Sequence, residues 1–242
     1  MIKNDQGVGP PDHSRALHKF RLTDRTDSVI IYIKERDHLD EKGQDKRLAK
    51  GEQMRQAILE TAIEIIGSNG IEHVSAAKIA SAIGTSKSNV FHHFKTREAI
   101  LLGVHDYIYE GFKSSFVSSA SSLKAYLTGL GDALFDTQED MIVYKAFYAF
   151  YNEGLFNPVF SERLTASTSH LLKSIEQELT RICAEQGIKG SDLNERIKIV
   201  SHGILCFLDG AGLHFMLNPE LTYLKESWKL QVRLWKKYLK GL

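Results

Sequence analysis

The chain has 242 residues, and its 31 basic and 30 acidic residues leave a formal net charge of +1 at pH 7. This balance argues against a strong overall field for nucleic acid or an anionic membrane, so such a partner must meet a local patch. The two cysteines, Cys183 and Cys206, form no CxxC pair, which argues against a disulfide framework or a cysteine-rich zinc site; both are expected to be buried thiols.

Residues 1–50 are predicted to form a flexible or weakly ordered extension, because they lack a sustained hydrophobic period and carry many charges of both signs. The apolar run at 29–33 is compatible with a strand, a docking segment or an artefact of an upstream start codon. The first fifteen residues contain no signal-peptide core, and the run at 29–33 is far too short to span a bilayer. We therefore expect a cytoplasmic protein with no membrane partner.

Helical periodicity replaces this pattern from Met54 onward. The four prolines stand at positions 10, 11, 158 and 219, so the intervals between them are free of helix breakers. Apolar residues recur at three- and four-residue spacing through these intervals. The predicted fold class is all-α, with an N-terminal three-helix helix-turn-helix domain joined to a larger C-terminal helical domain.

The stretch 54–97 contains the pattern of a helix-turn-helix. A first amphipathic helix is predicted to end near residue 70, where Asn-Gly supplies a left-handed residue. Ser75 is predicted to cap a short second helix, which Gly84 ends. Ser86 is predicted to cap a third helix that runs from residue 87 to about residue 94. Two short helices joined by a tight turn that contains glycine are typical of this motif.

Further helices are predicted downstream of Thr96, which can cap the fourth helix. The serine-rich stretch 114–122 marks a break. The stretch 144–151 is apolar on nearly every face, as expected of a central helix that packs on both sides or lines a pocket. The remaining helices are predicted around 123–134, 164–179, 204–215 and 221–239.

The third helix is expected to present a polar and cationic face. Val90 and Phe94, four residues apart, are predicted to anchor it inward, and the small side chains of Ala80 and Ala82 to allow close packing of the second helix. The opposite side then carries hydrogen-bonding and basic groups. Such a helix suits the major groove of DNA, where neighbouring polar and basic groups bind phosphates.

Residues 55–104, RQAILETAIEIIGSNGIEHVSAAKIASAIGTSKSNVFHHFKTREAILLGV, closely resemble the N-terminal domain of TetR-type transcriptional regulators. The matching features are Ser75 at the start of the second helix, Ile79-Ala80, the turn IGTS at 83–86, the run FHHF at 91–94 and Arg97-Glu98. Phe91 stands where tyrosine is common, and Arg97 stands where lysine is usual, which keeps the cation and changes its geometry. The residues predicted to bind double-stranded operator DNA are Ser75, Thr85, Ser86, Lys87, Ser88, Asn89, Phe91, His92, His93, Lys95 and Arg97.

For the rest of the chain the resemblance implies a homodimer that binds an unknown small-molecule effector, most simply a repressor that binds a palindromic operator. It divides the chain into an extension (1–50), a DNA-binding domain (51–97) and an effector-binding and dimerisation domain (98–242). The predicted pocket residues are Phe147, Tyr148, Tyr151, His170 and Phe207. The predicted dimer interface contains Ile204, Ala211, Phe215, Trp228 and Trp235. Ordinary intrachain core is the alternative for the apolar stripes of the last two helices.

Two other classes of protein remain as alternatives. One is a helical regulator that acts by protein contact without an effector. The other is a helical enzyme, but the chain contains no HExxH, GxSxG or GxxxxGK[ST] motif. Adjacent helical residues point about 100° apart, so His92 and His93 are not expected to chelate one metal ion. No catalytic residue, metal or cofactor is predicted.

Overall fold

The computed structural model describes residues 45–135, 141–220 and 222–242. Nine α-helices and one 3-10 turn make up the regular structure of these ranges, in which no strand occurs, so the predicted all-α fold class is confirmed. The helices are α1 Asp45–Asn69, α2 Ala76–Ala82, α3 Lys87–His93, α4 Arg97–Ser115, α5 Leu123–Phe135, α6 Met141–Phe156, α7 Pro158–Glu185, α8 Leu193–Leu217 and α9 Tyr223–Leu239. The 3-10 turn, Ile71–His73, lies between α1 and α2.

Helix α1 begins at Asp45, nine residues before the predicted start at Met54. The last part of the predicted extension is therefore helical. Leu48, Ala49 and Lys50 are exposed, so no buried stripe in this turn could reveal the helix through hydrophobic periodicity. The apolar run at 29–33 and the other residues before 45 lie outside the described part of the chain, as does Leu221, which was assigned to the last helix.

The buried apolar side chains form two clusters. The first joins α1, the 3-10 turn, α2, α3, much of α4 and α6, and it includes Phe160 at the start of α7. The second joins α5, the C-terminal half of α7, α8 and α9, together with Tyr109 of α4 and Phe116, which follows α4. Helix α6 thus packs with the N-terminal helices, although it belongs to the predicted C-terminal domain. The division at 97/98 stays a prediction.

Helix α6 lies against α1 along much of its length, and also contacts α4, α7 and α8. A Cβ atom at Gly67 of α1 would overlap the carbonyl oxygen of Ile142, so glycine allows this close approach. The N-terminal end of α6 therefore meets the C-terminal end of α1. The helix links the N-terminal helices to α8.

Helix α8 is the one helix in the described ranges that is long and apolar enough to cross a membrane by length and composition. It packs against α5, α6, α7 and α9, and its buried residues belong to the second cluster. The interior of the protein accounts for part of this composition, since 39 % of the apolar window is buried. Cys183 is buried as predicted, but Cys206, on the outer side of α8, is exposed, which corrects the expectation that both thiols are buried.

Candidate nucleic-acid interface

Helices α2 and α3 are fixed at their ends by side-chain caps. The hydroxyl of Ser75 accepts a hydrogen bond from the backbone N–H of Lys78 (3.2 Å), and the hydroxyl of Ser86 accepts one from Asn89 (3.1 Å). Gly84, between the helices, has φ +69°, a left-handed conformation that glycine adopts without steric cost. All three were predicted, because caps and left-handed glycines are local features.

The inner side of α3 is held by Val90 and Phe94, which are 0 % and 3 % exposed. The guanidinium of Arg55 on α1 lies 4.2 Å from the centroid of the Phe94 ring, a cation–π contact. Ala80 is buried as expected. Ala82 is exposed, so the expectation that it lets α2 pack closely is wrong: its position in the last turn of α2 faces away from the core.

The outer side of α3 carries Lys87, Ser88 and His92, all exposed. Asn89 is half-buried, and its Nδ2 donates a hydrogen bond to the Thr85 hydroxyl (2.9 Å). This bond orients the amide and leaves Oδ1 available as an acceptor. The chain from Ser75 to Arg97 contains four Lys or Arg residues and no Asp or Glu. Because the overall charge is balanced, a DNA partner must meet a local positive patch, and this stretch contains one.

Phe91 is half-buried against the first apolar cluster, and the ammonium of Lys87 lies 5.6 Å from its ring centroid. The ring therefore packs under the helix and holds a cation at its face. A phenylalanine can do this without the hydroxyl of a tyrosine. Its contact with DNA stays a prediction.

The rings of His92 and His93 lie edge to face, with centroids 5.3 Å apart. The pKa of His93 is lowered by the loss of hydration and by the neighbouring His92 and Arg55, partly opposed by Glu52. His93 is therefore more readily neutral than an ordinary histidine, and its contact with DNA stays a prediction. No group of three or more potential metal ligands occurs in the described ranges.

Arg97 and Lys95 differ in what their side chains contact. Arg97 Nε donates to the carbonyl oxygen of Val74 (3.0 Å), and its Nη2 donates to that of Ile71 (2.5 Å). The guanidinium thus holds the segment between α1 and α2 against the start of α4. The exposed Lys95 makes only a long contact with the His92 carbonyl (3.5 Å). The sequence predicts both residues as DNA contacts. It does not reveal the intrachain hydrogen bonds of Arg97, because their acceptors lie 23 and 26 positions earlier in the chain.

The five predicted pocket residues do not form one site. Phe147, Tyr148 and Tyr151 lie together on α6, facing α8. His170 is exposed on α7, because it lies on the side of that helix opposite buried Leu171 and Ile175. Phe207 packs against Trp228 and Trp235 in the second cluster. The structure does not bring His170 and Phe207 to the α6 group, because apolar periodicity does not show which neighbour each helix face meets. Their role in a pocket stays a prediction.

Asp209 on α8 completes the α6 group and was not predicted. The Tyr148 hydroxyl donates to its backbone oxygen (2.7 Å), and the Tyr151 hydroxyl donates to its carboxylate (3.2 Å). Burial raises the pKa of this carboxyl to about 6, partly opposed by the Tyr151 hydrogen bond. The sequence does contain a sign of this residue, because Asp209 is the only Asp, Glu, Lys or Arg in the apolar stretch 199–217.

The predicted dimer-interface residues face the interior of the protomer. Ile204, Ala211, Phe215 and Trp228 are at most 7 % exposed. Trp228 Nε1 donates to the Leu127 carbonyl of α5 (2.9 Å), and half-buried Trp235 packs beside Gly203. The two tryptophan rings also contact each other, with centroids 5.4 Å apart. The first four are covered by the packing of α5, α8 and α9, which is the alternative interpretation, ordinary intrachain core. Half-buried Trp235 also lines a groove with Ile199 and Leu234, and its place in a dimer interface stays a prediction.

The described geometry is that of a DNA-binding helix-turn-helix domain carried on a helical body. Residues 58–104 match the family model described as "Bacterial regulatory proteins, tetR family". This match covers the two caps, the turn and α3. Residues 58–104 are therefore a TetR-type helix-turn-helix segment, and the resemblance found in the sequence is confirmed for this part of the chain.

Similar proteins extend the likeness beyond this domain. The nucleoid occlusion factor SlmA of Shewanella baltica is 24 % identical over 193 residues, which cover 72 % of this chain and 91 % of that protein. The HTH-type transcriptional regulator BetI of Cronobacter sakazakii is 21 % identical over 193 residues, covering 77 % and 91 %.

Solved structures share the fold. Salmonella enterica GusR matches with a TM-score of 0.60 at 20 % identity, covering 78 % of this chain and 94 % of that one. A putative transcriptional regulator from Saccharomonospora viridis in complex with choline matches with a TM-score of 0.58 at 18 % identity, covering 78 % and 96 %. These likenesses show that the fold extends over about three quarters of the chain.

Proposed function

We propose that this protein is a ligand-responsive repressor that binds a palindromic operator as a homodimer in the cytoplasm. The observation that carries the proposal is the exposed face of α3, where two anchors and the Ser86 cap hold Lys87, Ser88 and the oriented amide of Asn89 on the surface. A short helix with this face fits the major groove.

The side chains fall into two groups by their expected contacts. Asn89, with Ser88 and Lys87, lies in the first turn of α3 and is the best placed to read base edges. The side chains around this turn contact phosphates, which position the domain without reading sequence. The proposed phosphate contacts are Ser75, Thr85, Ser86, His92, His93 and Lys95, with Phe91 packing beneath them.

Fluorescence anisotropy with DNA from the upstream region of the gene tests this proposal. Asn89→Ala should weaken operator binding by about 5- to 150-fold, the equivalent of 1–3 kcal/mol, and reduce the preference over unrelated DNA. Lys95→Ala is the matched control, and should weaken both DNAs similarly and reduce the salt dependence. The proposal fails if the purified protein shows no salt-sensitive, sequence-selective binding.

Exposed apolar side chains on α8 and α9 provide a surface for a second protomer. Ile199, Leu213 and Leu217 are exposed on α8, and Leu230, Leu234 and Tyr238 are exposed at four-residue spacing on α9. Ile199, Leu234 and Tyr238 line one shallow groove of about 450 Å³, so the two stripes adjoin. In a monomer this apolar surface would be exposed to water, which is unfavourable, and a second copy of the chain would bury it. The dimer would place its two α3 helices about 34–36 Å apart.

The link from effector to DNA is proposed to run through α6. This helix carries the aromatic residues that face Asp209, and it packs tightly on α1 where Ile142 meets Gly67. A ligand that displaces α6 would move α1 and, with it, the α2–α3 unit. Release of DNA requires the ligand to bind the DNA-incompetent form more tightly, and couplings of about 1–3 kcal/mol are typical.

Regulation by a protein partner is a second candidate. One observation favours it: the charged lining of a groove of about 320 Å³ between α5 and α9 is mainly basic, with Lys124, Arg233 and Lys236 against one acid, Asp132. Such a surface suits an acidic partner. Charge reversal at Arg233 and Lys236 should then abolish regulation in cells without changing operator affinity in vitro. Unchanged regulation would exclude this candidate.

A further inference from the structure

Asp209 places a carboxylate between α6 and α8 without a cationic partner. Within the part of the chain that the structure describes, no Lys, Arg or His side chain forms an ion pair with it. Its carboxylate accepts a hydrogen bond from the Tyr151 hydroxyl, at 3.2 Å. A half-buried anion that lacks a counter-ion is costly, so proteins generally pair such groups or use them.

A group of aromatic rings adjoins this carboxylate on the α6 side, with Tyr148 and Tyr151 nearest to it. The rings of Tyr148 and Tyr151 are stacked with centroids 5.7 Å apart, and Phe147 lies edge-on to both at 5.5 and 5.4 Å. Phe112 of α4 continues the group, 4.9 Å from Phe147 and 5.2 Å from Tyr144. Aromatic faces attract cations through their quadrupole, and combine with a carboxylate where a protein binds an ammonium group.

The two tyrosines add no charge of their own to the surroundings of Asp209. Burial and the Asp209 carboxylate raise the pKa of both Tyr148 and Tyr151 further above the ordinary value, so both hydroxyls stay protonated and neutral. The Tyr148 hydroxyl is held by the Asp209 backbone oxygen, and a Cβ atom at Gly212 would come within 2.6 Å of it. The fold therefore packs neutral aromatic groups close to an anion.

We propose that the effector of this protein is a cation, an amine or quaternary ammonium compound, held between the Asp209 carboxylate and the aromatic face of α6. The proposal rests on the proposed ligand-responsive function and names the chemistry of its ligand. The cation would contact the Asp209 oxygen that does not accept the Tyr151 bond, and the rings of Tyr148 and Tyr151. Entry of the ligand requires α6 and α8 to move apart, which gives the bound form a different α6 position against α1.

Calorimetric titration with choline and its neutral carbon analogue 3,3-dimethylbutan-1-ol tests the charge requirement directly, because the two ligands have nearly the same shape. Benzyltrimethylammonium serves as a larger cation. We expect at least one of the two cations to bind at least tenfold more tightly than the neutral alcohol. Asp209→Asn should reduce cation affinity at least tenfold and leave the alcohol unaffected. Glu195→Gln, an exposed carboxylate on the same helix, is the control and should change neither.

Three results would overturn the proposal. They are equal affinity for the cation and the alcohol, unchanged cation affinity in Asp209→Asn, and no binding of either cation. Operator binding by the ligand-free protein is measured separately by anisotropy. Operator binding without cation binding rejects this inference alone, whereas cation binding without operator binding rejects the proposed DNA function and leaves the site in place.

Discussion

Arg97 shows how one side chain can fit a DNA-binding pattern and still have a structural task. Its position beside a helix-turn-helix suggested a phosphate contact. Its guanidinium donates to the carbonyl oxygens of Val74 and Ile71, which lie in the connection between α1 and α2, and its phosphate contact stays a prediction. Carbonyl groups at the end of a helical turn need donors, and a forked guanidinium can serve two of them.

We predict that Arg97→Ala lowers the free energy of unfolding by about 1–2 kcal/mol, because two hydrogen bonds from a charged donor are lost. Urea unfolding followed by circular dichroism measures the change. Arg97→Lys should recover only part of it, since an ammonium lacks the fork. Lys95→Ala should stay within about 0.5 kcal/mol of the wild type. An Arg97→Ala protein as stable as the Lys95→Ala protein would contradict the structural role.

Asp209 makes a pH-dependent contribution to stability. Its folded pKa of about 6 exceeds the ordinary value of 3.8, so between these values the folded protein binds more protons than the unfolded chain. The stability contribution is present at low pH and is lost as the pH rises from about 4 to about 6. The two facing hydroxyls, Tyr148 and Tyr151, do not ionise in this window, because burial raises the pKa of each above its ordinary value.

We predict that Asp209→Asn raises the melting temperature at pH 7.5, where wild-type Asp209 is ionised, and that the gain largely disappears at pH 4.5. The gain at pH 7.5 has a ceiling of about 3 kcal/mol, from roughly two pKa units at 1.36 kcal/mol each. Thermal denaturation at the two pH values measures it, with Glu195→Gln as the control. A loss of stability at pH 7.5 would show that the charge is compensated in the protein.

At the scale of elements, α6 packs with the N-terminal helices although the sequence places it in the second half of the chain. Its contact with α1 depends on Gly67, where any side chain would meet the backbone of Ile142. Backbone is less able to move than a side chain, so the contact tolerates little change. The same helix carries Tyr148 and Tyr151 beside Asp209, and an altered α6 position would therefore reach α1.

We predict that Gly67→Ala destabilises the protein by about 1–3 kcal/mol, because α6 must shift to accommodate the new methyl group. Gly51→Ala on the same helix is the matched control. A Cβ atom there meets nothing within 4 Å, so alanine should stabilise by about 0.5–1 kcal/mol through the lower entropy of the unfolded chain. Chemical denaturation compares the two variants, and equal effects would contradict the tight α1–α6 contact.

At the scale of the whole molecule, α8 and α9 each carry apolar residues on an inward face and on an outward face. One side makes the second cluster, with Ile204, Phe215 and Trp228, and the other remains exposed, with Leu213 and Leu234. Sequence periodicity detected the apolar character of both helices. The interface prediction from the sequence named the inward residues, because the same apolar residue types occur in protein cores and at the centre of interfaces.

We predict that Leu213→Glu combined with Leu234→Glu converts a dimer to a monomer in size-exclusion chromatography with light scattering. Each glutamate would place a charge in an apolar interface without a partner. Operator affinity should fall at least tenfold, since a monomer contacts one half-site. Leu155→Glu, an exposed apolar residue at the end of α6, is the control and should stay dimeric. An unaltered mass for the double variant would place the interface elsewhere.

The sequence by itself determined the all-α class, the two short helices with their Ser75 and Ser86 caps, the turn at Gly84 and the anchors Val90 and Phe94. These features depend on interactions within about four residues, so a single stretch of sequence carries them. Tertiary structure alone decided that Arg97 bonds to the α1–α2 connection, that Trp228 binds the Leu127 carbonyl, and that Tyr151 meets Asp209. Those contacts join residues 23 to 101 positions apart, and the face of each helix that meets a neighbour depends on how the whole chain packs.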